Sequence, residues 1–202
     1  MARRTPGLVR LILSVLVALV LVACSEPTLL GAVRSPPLQV AAVTIPDGTD
    51  TPVPMRAADG ELLLVYFGYV SCPDICPTTM ADIRLALEGL PRDLAERVSV
   101  AMVTVDPERD TIDVLTGYLG HFFDRGLALR IEDTEELRRA TQAFGAQFEI
   151  AEHEPGESYD VAHTAITYVI DDTGTVVVEW PFGFHHDAMT SDLKTILERK
   201  KT

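Results

Sequence analysis

Two cysteines, Cys72 and Cys76, stand four residues apart in the segment Gly68-Tyr69-Val70-Ser71-Cys72-Pro73-Asp74-Ile75-Cys76-Pro77. Side chains at i and i+4 share one helix face, so a helical turn here brings both sulfurs within reach of each other. A helix N-terminus offers free N–H groups and the positive end of the dipole, which favour thiolate over thiol. Thiolate is the form that binds soft metals or attacks disulfides. Pro77 suits the start of such a helix, where its missing N–H would have no partner anyway. The pair is open to soft-metal ligation, to dithiol–disulfide cycling, to a structural disulfide, or to a role as two buried core thiols. A cross-link over so short a loop stabilises little, which favours a working pair over a structural one. C-x-x-x-C does not itself choose between metal and redox chemistry, and it differs from the usual C-x-x-C redox spacing.

The elements that must hold this pair are legible on either side of it. The apolar run 62–67, bounded by Gly60 and Gly68, reads as a strand buried on both faces. A helix over 77–90 follows, with Met80, Ile83, Leu85, Leu87 and Leu90 at roughly helical spacing and Gly89 and Pro91 at its end. Next come a strand over 98–105, a helix over 111–123, a short strand over 127–131 and a helix over 134–148. Strands over 164–170 and 175–180 flank the turn Asp171-Asp172-Thr173-Gly174, a β-hairpin signal. A helix over 187–200 with a basic last turn closes the chain. The order βαβα then ββα is an α/β fold with a mixed central sheet flanked by helices, the thioredoxin-like arrangement.

The third cysteine, Cys24, belongs to a different part of the chain. Residues 1–10 carry Arg3, Arg4 and Arg10 and no acid, and 11–22 is almost continuously apolar. This is the pattern of an export signal, and the run is shorter than the roughly 20 residues of a spanning helix. Leu21-Val22-Ala23-Cys24 resembles the lipobox of bacterial lipoprotein signals. The resemblance implies removal of residues 1–23, a lipid on Cys24 and anchoring on the extracytoplasmic side of the bacterial cell membrane. Residues 24–37, with Pro27, Gly31, Pro36 and Pro37, read as a flexible tether, and 38–202 as one domain. The 202 residues carry 17 Lys+Arg against 30 Asp+Glu, a formal net charge of −13. Loss of three arginines leaves 14 against 30, or −16. That balance excludes a nucleic-acid binder, which needs clustered cations.

Three ordered motifs then carry a family resemblance: Gly68 to Thr79 around the cysteines, Thr104-Val105-Asp106-Pro107-Glu108-Arg109-Asp110-Thr111, and Val161-Ala162-His163-Thr164. Together they resemble the Sco/SenC family of membrane-tethered, thioredoxin-like copper chaperones for cytochrome c oxidase assembly. The resemblance implies copper, as Cu(I) or Cu(II), held by Cys72, Cys76 and His163. It implies as partners the copper-site subunit of the oxidase and a periplasmic copper donor. Two thiolates and an imidazole suit that metal, the sulfurs favouring Cu(I) and the nitrogen helping to accommodate Cu(II). His163 also stands where thioredoxin-type oxidoreductases carry a cis-proline, which shifts weight from disulfide exchange toward metal handling. The alternative is a thiol-disulfide oxidoreductase that cycles Cys72 and Cys76 to keep the oxidase's copper-ligand cysteines reduced. The family often places one acid directly before the histidine and another a few residues earlier. Here those positions are Ala162 and Ser158, with Asp160 out of register, which puts outer-shell tuning of the histidine in question rather than the ligands themselves.

Other candidates read as structural. Asp106 to Thr111 is a turn followed by a helix capped by Asp110, with a partner surface as its competing reading. His185-His186 would need further ligands to hold a metal, and His121 and His153 stand alone in the sequence. Met80 belongs to a helix core. Trp180, Phe182 and Phe184 are either the edge of the core or a docking patch.

Overall fold

The computed structural model describes residues 28–49 and 51–200, so residues 1–23 and Cys24 lie outside the described part. Its centre is β4 (Leu62–Gly68), every residue of which is buried. That is what an unbroken apolar run bounded by glycines should give when both sheet faces are covered. Beside β4 lie β5 (Val98–Thr104), parallel to it, and β9 (Ile166–Ile170), antiparallel. The sheet continues through β6 (Gly126–Leu129) on one side, and through β10 (Thr175–Pro181) and β1 (Leu38–Gln39) on the other. The strand order is β1-β10-β9-β4-β5-β6. The mixed α/β sheet expected from the sequence is therefore present. Two small antiparallel pairs stand outside it: β2 (Thr44–Pro46) with β3 (Pro52–Pro54), and β7 (Phe148–Ile150) with β8 (Val161–His163).

The helices cover the sheet with the faces their spacing dictates. α1 (Ile75–Glu88) buries Cys76, Thr79, Met80, Ile83 and Ala86, one stripe of an amphipathic helix. The short α2 (Arg92–Ala95) leads into β5, and α3 (Ile112–Leu119) crosses to β6. α4 (Thr134–Ala143) is capped by the Asp133 carboxylate, which accepts the Glu136 N–H. α5 (His186–Arg199) packs on α1, and the Thr190 hydroxyl donates to the Ala86 carbonyl at 3.0 Å. In the core Phe67, Phe144 and Tyr168 meet edge to face, with the Phe67 and Phe144 centroids 5.0 Å apart. Among the described residues no helix is long and apolar enough to cross a membrane.

Several boundaries differ from the expected ones, and each difference has a cause. α1 begins at Ile75 rather than 77. Pro77 still fits, because the first four N–H groups of a helix have no internal partner. α3 is capped by Thr111, whose hydroxyl accepts the Val114 N–H at 3.3 Å, and not by Asp110, whose carboxylate is engaged elsewhere. The helix expected over 134–148 stops at Ala143, because Gly145 takes φ +69°, a conformation that favours glycine. The strand expected from 164 begins at 166, and Val161–His163 form the separate strand β8. Within the stretch read as a tether, residues 30–34 lie against the domain. The Leu30 and Gly31 N–H groups donate to Asp192 at 2.7 and 3.0 Å, Ala32 bridges to Glu179, and Arg34 pairs with Glu179 at 2.5 Å. Trp180 is core, donating to Asp192 at 3.0 Å, whereas Phe182 is exposed and Phe184 stacks on Trp180.

Candidate metal centre

β4 delivers the chain to the site and α1 leads away from it. Gly68, the last residue of β4, is required by close approach: a Cβ there would lie 3.0 Å from Cys76 Sγ and 2.6 Å from Tyr66 Cε1. The chain then turns, with the Cys72 N–H donating to the Tyr69 carbonyl at 3.3 Å, and enters α1. Cys72 Sγ accepts the Cys76 N–H at 3.3 Å, so the first sulfur takes up a free donor of the helix's first turn. Cys76 is fully buried, and both cysteines are free thiols.

The helix terminus does not decide the state of Cys76. Burial pushes its thiol up to about 12, against the lowering by the Tyr69 backbone. Without a metal, burial thus works against the thiolate that the sequence argument favours at Cys76. A metal cation is then the partner that makes the thiolate form favourable.

β8 ends in His163 and brings its ring against this sulfur. His163 Nε2 lies 3.6 Å from Cys76 Sγ, and Nδ1 lies 3.2 Å from the Thr164 carbonyl. A carbonyl only accepts, so Nδ1 carries the hydrogen and Nε2 turns its lone pair toward the sulfur. Burial holds the imidazole below its usual range, partly offset by its bonds to the backbone of Thr164 and Phe67, which favours the neutral, ligating form. Tyr66 and Tyr69 meet the ring edge-on at 5.9 and 5.8 Å, and the Tyr66 hydroxyl lies 3.7 Å from Cys76 Sγ.

One donor atom each from Cys72, Cys76 and His163 lies within 4.8 Å of the others. This is a soft S₂N set with no carboxylate. Structural zinc sites use four protein ligands, whereas thiolate-rich sites with an imidazole suit copper, so the residues present fit copper. A groove of about 400 Å³ opens onto the cluster, lined by Tyr69, Cys72, Asp74, Ile75, Val161 and His163 among others.

The remaining histidines separate in kind. His185, His186 and Asp187 also place donor atoms within 4.8 Å of one another, but at an exposed helix start where His185 accepts the Asp187 N–H. His153 is not isolated: it stacks on Tyr159 with centroids 3.6 Å apart and reaches Glu108 at 3.2 Å. Two groups at the site went unread in the sequence. Tyr66 looked like strand filler inside an apolar run. Asp110 looked like a helix cap, yet it accepts the Val70 N–H at 2.9 Å and the Thr104 hydroxyl at 2.7 Å, tying the cysteine loop to β5. The acid-rich second motif was the available signal.

Comparison with known proteins agrees with this geometry. The sequence model of the SCO1/SenC family matches residues 36–198. An SCO2-like protein of Rickettsia prowazekii is 34% identical over 116 residues, covering 57% of this chain and 56% of its own. The chain thus spans less than two thirds of the length of the curated relatives it matches first. Among solved structures, apo Sco1 from Thermus thermophilus superposes with a TM-score of 0.74 at 31% identity, covering 86% of this chain and 99% of that one. ScoI of Bradyrhizobium japonicum with copper bound superposes with a TM-score of 0.63 at 27% identity, covering 81% and 97%.

Proposed function

The chain belongs to the SCO1/SenC family, and from that premise we propose that it is a copper-binding chaperone whose cargo is held by Cys72, Cys76 and His163. The observation that carries this reading is the convergence of two buried sulfurs and an Nε2 whose tautomer leaves its lone pair facing them. Copper bound in the related ScoI structure supports the choice of metal. The two thiolates supply the soft pair that Cu(I) favours, and the imidazole adds the borderline donor that Cu(II) accepts. The groove beside Cys72 leaves one side open, as a carrier that must hand its metal on requires. Copper arrives from a periplasmic donor and passes to the dinuclear copper site of cytochrome c oxidase. The chain is lipid-anchored through Cys24 on the extracytoplasmic side once residues 1–23 are removed.

Copper titration of the reduced protein tests the reading. One equivalent should bind, and Cys72→Ala, Cys76→Ala and His163→Ala should each weaken it, the last most clearly for Cu(II). Unchanged Cu(II) binding by His163→Ala would remove His163 from the ligand set.

A second reading rests on the proximity of the two free thiols. In it the dithiol reduces a partner disulfide, giving up two electrons and two protons and closing a Cys72–Cys76 bond. In this reading Cys72, which lines the groove, attacks, and the fully buried Cys76 closes the bond. If it were the main activity, His163→Ala would leave oxidase assembly intact while either cysteine variant abolished it.

A further inference from the structure

One short segment bonds to both halves of the metal centre. On the cysteine side, the buried Asp110 carboxylate accepts the N–H of Val70, two residues before Cys72, at 2.9 Å. On the histidine side, the buried Asp106 accepts the Tyr159 hydroxyl at 2.7 Å and pairs with Arg109, and Arg109 Nη1 donates to the Tyr159 carbonyl at 3.1 Å. Tyr159 stands two residues before β8, the strand that ends in His163.

Stacking reinforces these bonds. The Arg109 guanidinium lies 3.7 Å from the Tyr159 ring centroid and the His153 ring 3.6 Å from it. Two groups that close to one centroid must occupy opposite faces, so Tyr159 is sandwiched. Arg109 also lies 5.8 Å from the ring of Tyr69, which in turn meets His163 at right angles. Among the described residues β8 pairs with β7 and not with the central sheet, so no strand ladder of that sheet fixes its position. Besides its continuation into β9 and the contacts that His163 itself makes with Phe67, Tyr66 and Tyr69, this network joins β8 to the cysteine loop.

We propose that residues 106–110 form a positioning clamp, with Arg109 at its centre, that sets where His163 stands relative to Cys72 and Cys76 and thereby governs how well the site holds Cu(II). The inference rests on the copper reading above. Arg109 touches no ligand atom and acts through Tyr159 and Tyr69, so it is a positioning residue. Cu(I) is satisfied mainly by the two sulfurs, which the core and the Asp110 bond to Val70 still hold when Arg109 is removed, whereas Cu(II) depends on the nitrogen. Loosening the clamp should therefore separate the two oxidation states, an effect that general destabilisation would not produce.

The test compares Cu(I) and Cu(II) affinities by competition titration, together with the sulfur-to-Cu(II) absorption band and the nitrogen hyperfine coupling of the Cu(II) protein. Arg109→Ala should lose about 10- to 100-fold in Cu(II) affinity, the range typical of groups that orient metal ligands, with weakened nitrogen coupling and little change in Cu(I) affinity. Arg109→Lys keeps the charge but neither the planar fork nor the stack, so it should remain impaired. Tyr159→Phe removes only the hydroxyl bond to Asp106 and should show a smaller loss of the same sign, which keeps the test intact if Arg109→Ala does not fold. Wild-type Cu(II) affinity and spectra in a folded clamp variant, or equal losses for Cu(I) and Cu(II), would overturn the proposal. His163→Ala is the reference. If it too binds Cu(II) like wild type, the copper reading fails; if it is impaired and the clamp variants are not, only the clamp fails.

Discussion

The two halves of the candidate metal centre are built in opposite ways. The sulfur half is local: Cys72 and Cys76 sit four residues apart where the most buried strand passes into the first long helix, and Cys76 is itself part of the core. The imidazole half arrives from 87 residues away on a two-stranded pair outside the central sheet. The first inherits its geometry from the core. The second has a position only as good as the contacts that hold β8. For the carrier role proposed above this division would be useful, because the firmly placed sulfurs would retain the metal while the separately mounted nitrogen would be the ligand whose distance is most easily altered.

The largest effects should expose this asymmetry directly. Cys76→Ser removes a soft ligand and should cost Cu(I) affinity more than about 100-fold, beyond the range of outer-shell groups. His163→Ala should cost Cu(I) less than the cysteine variant does and Cu(II) much more than it costs Cu(I). Competition titrations in both oxidation states read the difference, and equal losses in the two variants would mean that the halves act as one unit.

Gly68→Ala tests whether the core really fixes the sulfur side. The added Cβ meets Cys76 Sγ, Tyr66 Cε1 and Met102 Cε at 3.0, 2.6 and 3.1 Å, all at well-packed positions. Overpacking of this kind costs about 1–3 kcal/mol, which urea denaturation would register, and it should weaken Cu(I) binding by moving Cys76. A fully stable variant with unchanged copper affinity would show a sulfur side more pliable than its burial implies.

The same contrast explains what could be read in advance. Leu62 to Phe67 announces a buried strand by composition alone, and the Cys72–Cys76 spacing announces a shared face, because both are local signals. The histidine's surroundings are not local. β7 and β8 are three residues each, too short for periodicity, and β7 falls at the end of what reads as one long helix until Gly145 turns the chain. His163 itself was reached through a motif resemblance rather than through its spacing. Asp110 shows the limit most clearly: placed just before a helix, it has the sequence of a cap, yet a buried bond to Val70 outcompetes that role and the cap passes to Thr111.

Two carboxylates, one beside the site and one at the far end of the sheet, should respond to pH with opposite signs. Burial holds the Asp110 carboxyl above its ordinary value of 3.8, so the folded protein binds that proton more tightly than the unfolded chain. Its contribution favours the fold in acid and is lost as the pH rises from about 3.8 through the raised native value. Asp172 is held below 3.8, chiefly by Lys200, which donates to it at 2.6 Å, and also by the Gly60 N–H. Its contribution is present above 3.8 and is lost as the pH falls through the lowered native value. Urea midpoints between pH 3 and 7 should therefore show Asp110→Asn gaining on wild type as the pH rises. Lys200→Ala should fall behind at neutral pH by no more than about 1 kcal/mol, as for a partly exposed pair. The reverse order would mean that Asp110 is stabilised as an anion by its two donors.

The smallest effect concerns the position where the family often carries an acid. Ala162 is exposed and adjacent to His163 along β8, so its side chain points to the opposite face of the strand. The role an acid would serve for the histidine, accepting from Nδ1 and fixing the tautomer, is already filled by the Thr164 carbonyl at 3.2 Å. Ala162→Asp should accordingly change stability by less than about 0.5 kcal/mol, as an exposed substitution does. It should also leave Cu(II) affinity within about threefold of wild type, below the 10-fold onset of outer-shell effects. A tenfold or larger gain would show that a backbone carbonyl is a weaker anchor for the imidazole than a carboxylate. The imidazole half would then be under-supported in this chain even with residues 106–110 in place.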